Sequence, residues 1–287
     1  MRDHFERAAD FVWRYGRPIE KYRLAFHFMN GPQSAVLASL RTYQNTDCGF
    51  GHALEPDKRF PGSTPADVMT ALYILDEVDG FDDPLILETC CYLEAITTPE
   101  GGIPFTLPMV KCYPHAPWWA TDDPNPPASI NPTGDIAGLL LKHNIQHPWL
   151  NQAAPFCWQA VGKRLDTYHD IMPAMEFLSH APDQERATFS INTIKDTIKA
   201  LKLVGSDRSQ NGYYKYPLDW APYPQHPLRS LFSDQQIEDD LQELVKNQLP
   251  DGGWAINWEP ISTEVENEWR GIRTLKHILI LKAYGKI

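Results

Sequence analysis

Gln44-Asn45-Thr46-Asp47-Cys48-Gly49-Phe50-Gly51-His52-Ala53-Leu54-Glu55-Pro56-Asp57 returns near the other end of the chain. There it reads Gln248-Leu249-Pro250-Asp251-Gly252-Gly253-Trp254-Ala255-Ile256-Asn257-Trp258-Glu259-Pro260, so both stretches fit Q-x2-D-x-G-[aromatic]-x4-E-P without a gap. A Gln closing an apolar helix can bond backbone groups left open at a helix end. Asp-x-Gly makes a tight turn in which Gly tolerates positive φ, and the aromatic plugs the seam between neighbouring helices. A third, degenerate copy has Thr97 in place of Gln and continues Pro99-Glu100-Gly101-Gly102-Ile103. A fourth, Gln210-Asn211-Gly212-Tyr213, keeps the Gly-aromatic pair and is followed by Pro217 and Asp219. Self-similarity at this spacing means stacked supersecondary units that cannot bury their faces alone.

Working outward, 287 residues is near the limit for one ordinary core, although a closed barrel of repeated units runs this long as one domain, and one domain, 1–287, is expected. A hydrophobic content of 43% and a mean hydropathy of −0.41 describe a core-forming, water-soluble chain. A formal charge of −11 argues against nonspecific binding to nucleic acid or to an anionic membrane, while leaving room for a local basic pocket that takes a small anion. Met1-Arg2-Asp3-His4-Phe5-Glu6-Arg7 lacks an apolar core, so no signal peptide is expected, and no run is long enough for a transmembrane segment. Five cysteines with no C-x2-C pair fit reduced thiols and a cytoplasmic location.

Apolar residues recur at three-to-four spacing in pairs of segments, predicting helices over 2–15 and 17–29, 33–44 and 65–78, and 83–96 with 133–143. Further helices are expected at about 148–163, 169–180, 184–204, 233–248 and 267–284, with no convincing strand. Two proline- and aromatic-rich insertions, about 104–132 and 205–232, interrupt them. The first holds Tyr113-Pro114-His115-Ala116-Pro117-Trp118-Trp119, which is too aromatic for a passive linker.

Paired helices joined by Q-x2-D-G-G-W turns resemble the repeat of squalene-hopene and oxidosqualene cyclases and of protein prenyltransferase β subunits. The chain is also similar to a group of bacterial proteins that share G-F-G-H-A-L-E-P-D. The resemblance implies an all-α fold, an α/α toroid of five or six helical hairpins, and an enzyme acting on an apolar or isoprenoid small molecule in an aromatic-lined central cavity. The initiating D-x-D-D of the cyclases has no match, because Asp79-Gly80-Phe81-Asp82-Asp83 and Asp122-Asp123 do not fit it. Asp239-Asp240-Leu241-Gln242-Glu243 resembles a magnesium motif of terpene synthases but reads more simply as a solvated helix face. Cys112-x2-His115 offers two zinc-compatible ligand types. No metal ligand set follows, and the cofactor stays open, a divalent metal included.

The loops supply the candidate chemistry. His52, Glu55, Asp57, His115 and Asp219 stand as catalytic candidates for carboxylate or carboxylate–histidine acid–base work, in which burial raises a carboxyl pKa. Arg59, Trp118, Trp119, Trp258, Glu268, Trp269 and Arg270 stand as substrate-binding candidates. Against this, Glu55 and Glu259 share one repeat position, which favours carpentry over catalysis, and a Glu in a first helical turn is explained by the helix dipole. His52 and Asp57 face Ile256 and Ile261 in the second copy and so exceed what the repeat needs. Two other classes compete: a glycoside hydrolase- or lyase-like enzyme, which pairs carboxylates with tryptophan platforms, and a non-catalytic binding or scaffold protein.

Overall fold

A computed structural model of the chain describes residues 2–205, 208 and 214–287. The helices are α1 (Arg2–Tyr15), α2 (Pro18–Phe28), α3 (Gln33–Arg41), α4 (Pro65–Glu77), α5 (Leu85–Ile96), α6 (Ile130–Lys142), α7 (Leu150–Val161), α8 (Tyr168–His180), α9 (Gln184–Ala200), α10 (Pro217–Trp220), α11 (Asp234–Lys246) and α12 (Thr263–Ala283). The described residues are therefore all-α, as the apolar spacing predicts. The helix α12 begins before residue 267 because Ser262 caps it, its hydroxyl accepting from Val265 N at 3.3 Å. The short α10 lies inside the second insertion. The fourth motif copy, Gln210–Tyr213, lies outside the described residues.

These residues divide into two compact units, Gln33–Ile194 in one and the segment up to Pro32 with Lys195–Ile287 in the other. In the first unit α6 lies along α8 with the backbones almost touching. A Cβ on Gly134 would stand 2.5 Å from Pro173 O, and one on Gly138 2.5 Å from the backbone of Glu176. The helices α4 and α7 flank α6, and Leu72, Leu75, Ile136, Leu140 and Phe177 fill the interior. In the second unit α1 packs along α12, α2 borders both, and α10 sits on α11. Phe11, Val12, Leu24, Leu241, Leu275 and Ile278 are buried there.

The three described copies of the motif fold into one turn. Asn45 N donates to Gly49 O, Thr98 N to Gly102 O and Leu249 N to Gly253 O, each at 2.9 Å. The positive φ falls one residue earlier than the sequence pattern suggests: on Cys48 (67°), Gly101 (92°) and Gly252 (94°), not on the invariant glycine. That glycine is required for close approach instead. A Cβ on Gly49, Gly102 or Gly253 would lie within 2.7–2.8 Å of the Tyr92, Phe156 or Phe11 ring. The first motif residue ties the turn to a neighbouring helix. Gln44 Nε2 donates to Glu88 Oε2 of α5 at 3.1 Å, Thr97 Oγ1 accepts from Trp149 Nε1 beside α7 at 2.9 Å, and Gln248 Nε2 donates to His4 O of α1 at 2.8 Å.

Candidate functional site

The first motif loop folds back on itself and then pairs with the proline-rich insertion. Gly51 allows this reversal, since a Cβ there would meet Gly62 O at 2.3 Å, and His52 and Ala53 follow in the left-handed region. Lys58 and His115 form an antiparallel bridge, with Arg59 N donating to Pro114 O at 2.8 Å and Ala116 N to Asp57 O at 2.7 Å. The pairing carries a charged group inward: Lys58 is only 1% exposed. Its Nζ lies 2.7 Å from Asp67 Oδ2, 3.5 Å from Glu55 Oε2 and 5.1 Å from the centre of the Trp119 ring.

Asp67 is fully committed in this cluster. It accepts from Glu55 N at 2.7 Å and from Thr64 Oγ1 at 2.5 Å, while its own N–H donates to the Thr64 hydroxyl that caps α4, at 3.2 Å. Glu55 is the odd member. Burial pushes its carboxyl up, Lys58 pulls it back, Asp57 and Asp67 push it up again, and the result is about 8. Glu55 therefore holds a proton at neutral pH, leaving Lys58 to neutralise Asp67. Its repeat counterpart Glu259 is exposed, so the kinship of the two copies ends at the aromatic residue.

A second cluster lies on the close-packed helices of the same unit. Tyr73 of α4 donates its hydroxyl to Asp135 Oδ1 of α6 at 2.5 Å, and the negative charge of Glu176 on α8 acts on both. His180 Nε2 lies 3.4 Å from Glu176 Oε1. Burial drives the Asp135 carboxyl to about 8 against the opposing Tyr73 bond, with Glu176 adding to the rise. Burial and Asp135 push the Tyr73 phenol well above its ordinary value, yet its side chain is part of the accessible surface, with the residue 37% exposed. A proton-bearing acid and the phenol bonded to it thus form one cluster on which Glu176 acts. This group was missed in the sequence. Its signal was the Gly134-x3-Gly138 spacing, which lets α8 approach and bring Glu176 beside Asp135.

The remaining candidates fall in several places. His52 is exposed, and its Nε2 contacts Asn45 Oδ1 at 2.9 Å; His115 Nδ1 contacts Tyr113 O at 2.6 Å. Asp57 is buried and Trp118 exposed, while Trp119 stacks on Phe105 at 4.6 Å. In the other unit Asp219 Oδ2 accepts from Tyr216 N at 2.9 Å, closing the first turn of α10. Trp258 and Trp269 meet edge to face at 5.1 Å, beside a half-buried Glu268. Arg270 clamps the motif acid Asp251 with bonds of 2.8 and 2.7 Å and lies 4.6 Å over Phe11, a repeat-building role. In the Asp239–Glu243 run only part is solvated: Asp240 is buried, pairs with Arg208 through both oxygens and accepts from Leu218 N at 2.9 Å.

Among the described residues no three His, Cys, Asp or Glu side chains are placed to share a metal ion, and no helix is long and apolar enough to cross a membrane. Compared with known proteins, the chain matches no family model and no curated sequence. The reading of the site therefore rests on geometry.

Proposed function

We propose that the chain is an acid–base enzyme acting on a small polar molecule of the sugar class, with Asp135 as the proton-bearing acid, Glu176 as the carboxylate partner and Tyr73 as the group that orients Asp135. The observation that carries this is the Tyr73–Asp135 bond under the influence of Glu176, where one carboxyl stays protonated to about 8. An acid that keeps its proton beside a second carboxyl group is what cleavage or elimination at a glycosidic bond needs. The isoprenoid reading keeps one support, the Trp258–Trp269 pair, which suits cation–π stabilisation. We infer in addition that the helices close into the α/α toroid that the repeat implies. In support, the last turn seats Gly253 on Phe11 of α1 much as Gly49 seats on Tyr92 of α5.

The test is turnover of two panels, 4-nitrophenyl glycosides and isoprenyl substrates, by wild type, Asp135→Asn, Glu176→Gln and Tyr73→Phe. Loss of roughly 10²–10⁴-fold in kcat for Asp135→Asn is expected. Tyr73→Phe removes a bond that favours the ionised carboxyl, so the alkaline limb of the pH profile moves up. Turnover unchanged in Asp135→Asn would refute the assignment. Turnover confined to the isoprenyl panel selects the second reading, and none in either panel favours a scaffold.

A further inference from the structure

The turn of the first motif presents a cysteine where its two described counterparts have glycine. Cys48 holds φ at 67°, and Gly101 and Gly252 occupy the same place at 92° and 94°. A side chain is disfavoured in this left-handed region, so the backbone alone gives no reason for a thiol. The turn itself is fixed: Gly49 N donates to Asp47 Oδ1 at 3.0 Å, and Ser63 Oγ donates to the same oxygen at 2.6 Å. It is seated on α5, where Gln44 reaches Glu88 and a Cβ on Gly49 would stand 2.8 Å from Cγ of Tyr92. The backbones at 49 and 92 are therefore about one side chain apart, and the residue before each is a cysteine. Cys91 lies one helical turn beyond Glu88, and both act on the charge of Cys48. Cys48 is half-buried, Cys91 is exposed, and both are free thiols.

We propose that Cys48 and Cys91 form a reversible redox pair, closing to a disulfide that fastens the first motif turn to α5 when a low-molecular-weight disulfide of the glutathione class is in excess. The proposal does not depend on the Asp135 reading. The step balances. Exposed Cys91, as the thiolate, attacks the small disulfide, which forms a mixed disulfide and releases one small thiol carrying the proton that Cys91 gave up. Cys48 then loses its proton, attacks the Cys91 sulfur, breaks the mixed disulfide and releases the second small thiol. The protein gives up two electrons and two protons, and the small disulfide takes them to become two thiols. A disulfide joins backbones whose Cα atoms lie within about 7 Å, and the seating of Gly49 on Tyr92 brings the two segments into that range.

The surroundings of the other thiols leave this pairing without a competitor. Cys90 adjoins Cys91, but it is 1% exposed, and burial, then Cys91 and Glu94, push its thiol up to about 12. Cys157 is fully buried. Burial, then Glu88, Cys91 and Asp47, raise the Cys48 thiol, so Cys91 is the attacking partner and Cys48 the resolving one.

The test incubates the full chain with oxidised and reduced glutathione at a series of ratios, quenches with acid, alkylates the remaining thiols and maps the peptides by mass spectrometry. A Cys48–Cys91 cross-link short of two hydrogens is expected in wild type, reversed by excess reduced glutathione. Both single variants should keep the fold: Cys48→Gly copies the other two described turns, and Cys91→Ser keeps a donor for Leu87 O, which the thiol now meets at 3.6 Å. In Cys48→Gly, Cys91 should stop at the mixed disulfide and accumulate it at least about tenfold more than wild type, because the intramolecular second step is lost. In Cys91→Ser, Cys48 should stay reduced. Equal mixed disulfide on Cys91 in wild type and Cys48→Gly, or a link from Cys91 to Cys90 or Cys112 in place of Cys48, overturns the proposal. So does a pair left reduced at ratios that glutathionylate the exposed Cys112. Asp135→Asn, expected to abolish turnover, should close the pair like wild type, which separates the two readings.

Discussion

Replacing Glu55 with Gln should reshape the pH dependence of stability without altering the fold. Gln copies the shape and neutrality of the protonated acid beside Lys58. The folded carboxyl titrates at about 8 against an ordinary 4.5. Between those values the unfolded chain has released a proton that the folded chain retains, so stability falls as pH rises. Three and a half pH units at about 1.4 kcal/mol each amount to a loss on the order of 5 kcal/mol, absent below pH 4.5 and complete above pH 8. Urea unfolding at half-unit intervals from pH 5 to 8.5 would measure it. Wild type and Glu55→Gln should differ by only about 1 kcal/mol at pH 5. At pH 8.5 the variant should be the more stable by several kcal/mol, its slope shallower by up to about 1.4 kcal/mol per pH unit. Parallel curves would refute the reasoning and mean that Glu55 is ionised in the folded chain, sharing Lys58 with Asp67.

Other substitutions probe the remaining links. Lys58→Met removes the ammonium 2.7 Å from the fully buried Asp67 and should cost roughly 3–5 kcal/mol at neutral pH, read from denaturant midpoints. Gly138→Ala forces a methyl to 2.5 Å from the backbone of Glu176. It should destabilise by about 1–3 kcal/mol and, by displacing α8, lower turnover as well. Cys48→Gly relieves a left-handed φ of 67° at a position where the other two described copies carry glycine. A gain of up to about 1 kcal/mol in thermal or urea unfolding is expected, and a loss would show that the thiol packs usefully there.

The sequence by itself determined the helices and the repeat. Apolar residues at helical spacing and caps such as Thr64-Pro65 are local signals, and a turn that recurs as Gln44–Phe50, Thr97–Ile103 and Gln248–Trp254 announces itself by self-similarity. It also singled out Glu55 and Asp57, because they sit in an unusual loop. Tertiary structure alone decided what these residues do. Whether a carboxyl holds its proton depends on burial and on neighbours from other elements, as burial settles for Glu55 against the opposing pull of Lys58, which the bridge to His115 draws inward. Asp135 looks ordinary in Pro132-Thr133-Gly134-Asp135 until α8 closes against Gly134 and Gly138 and brings Glu176 to it. Likewise Arg273 and His277 read as polar positions of a long helix, and only the packing of the loop after Trp254 encloses a cavity beside them. Local pattern is written along the chain, whereas electrostatics depends on distances between residues far apart in it.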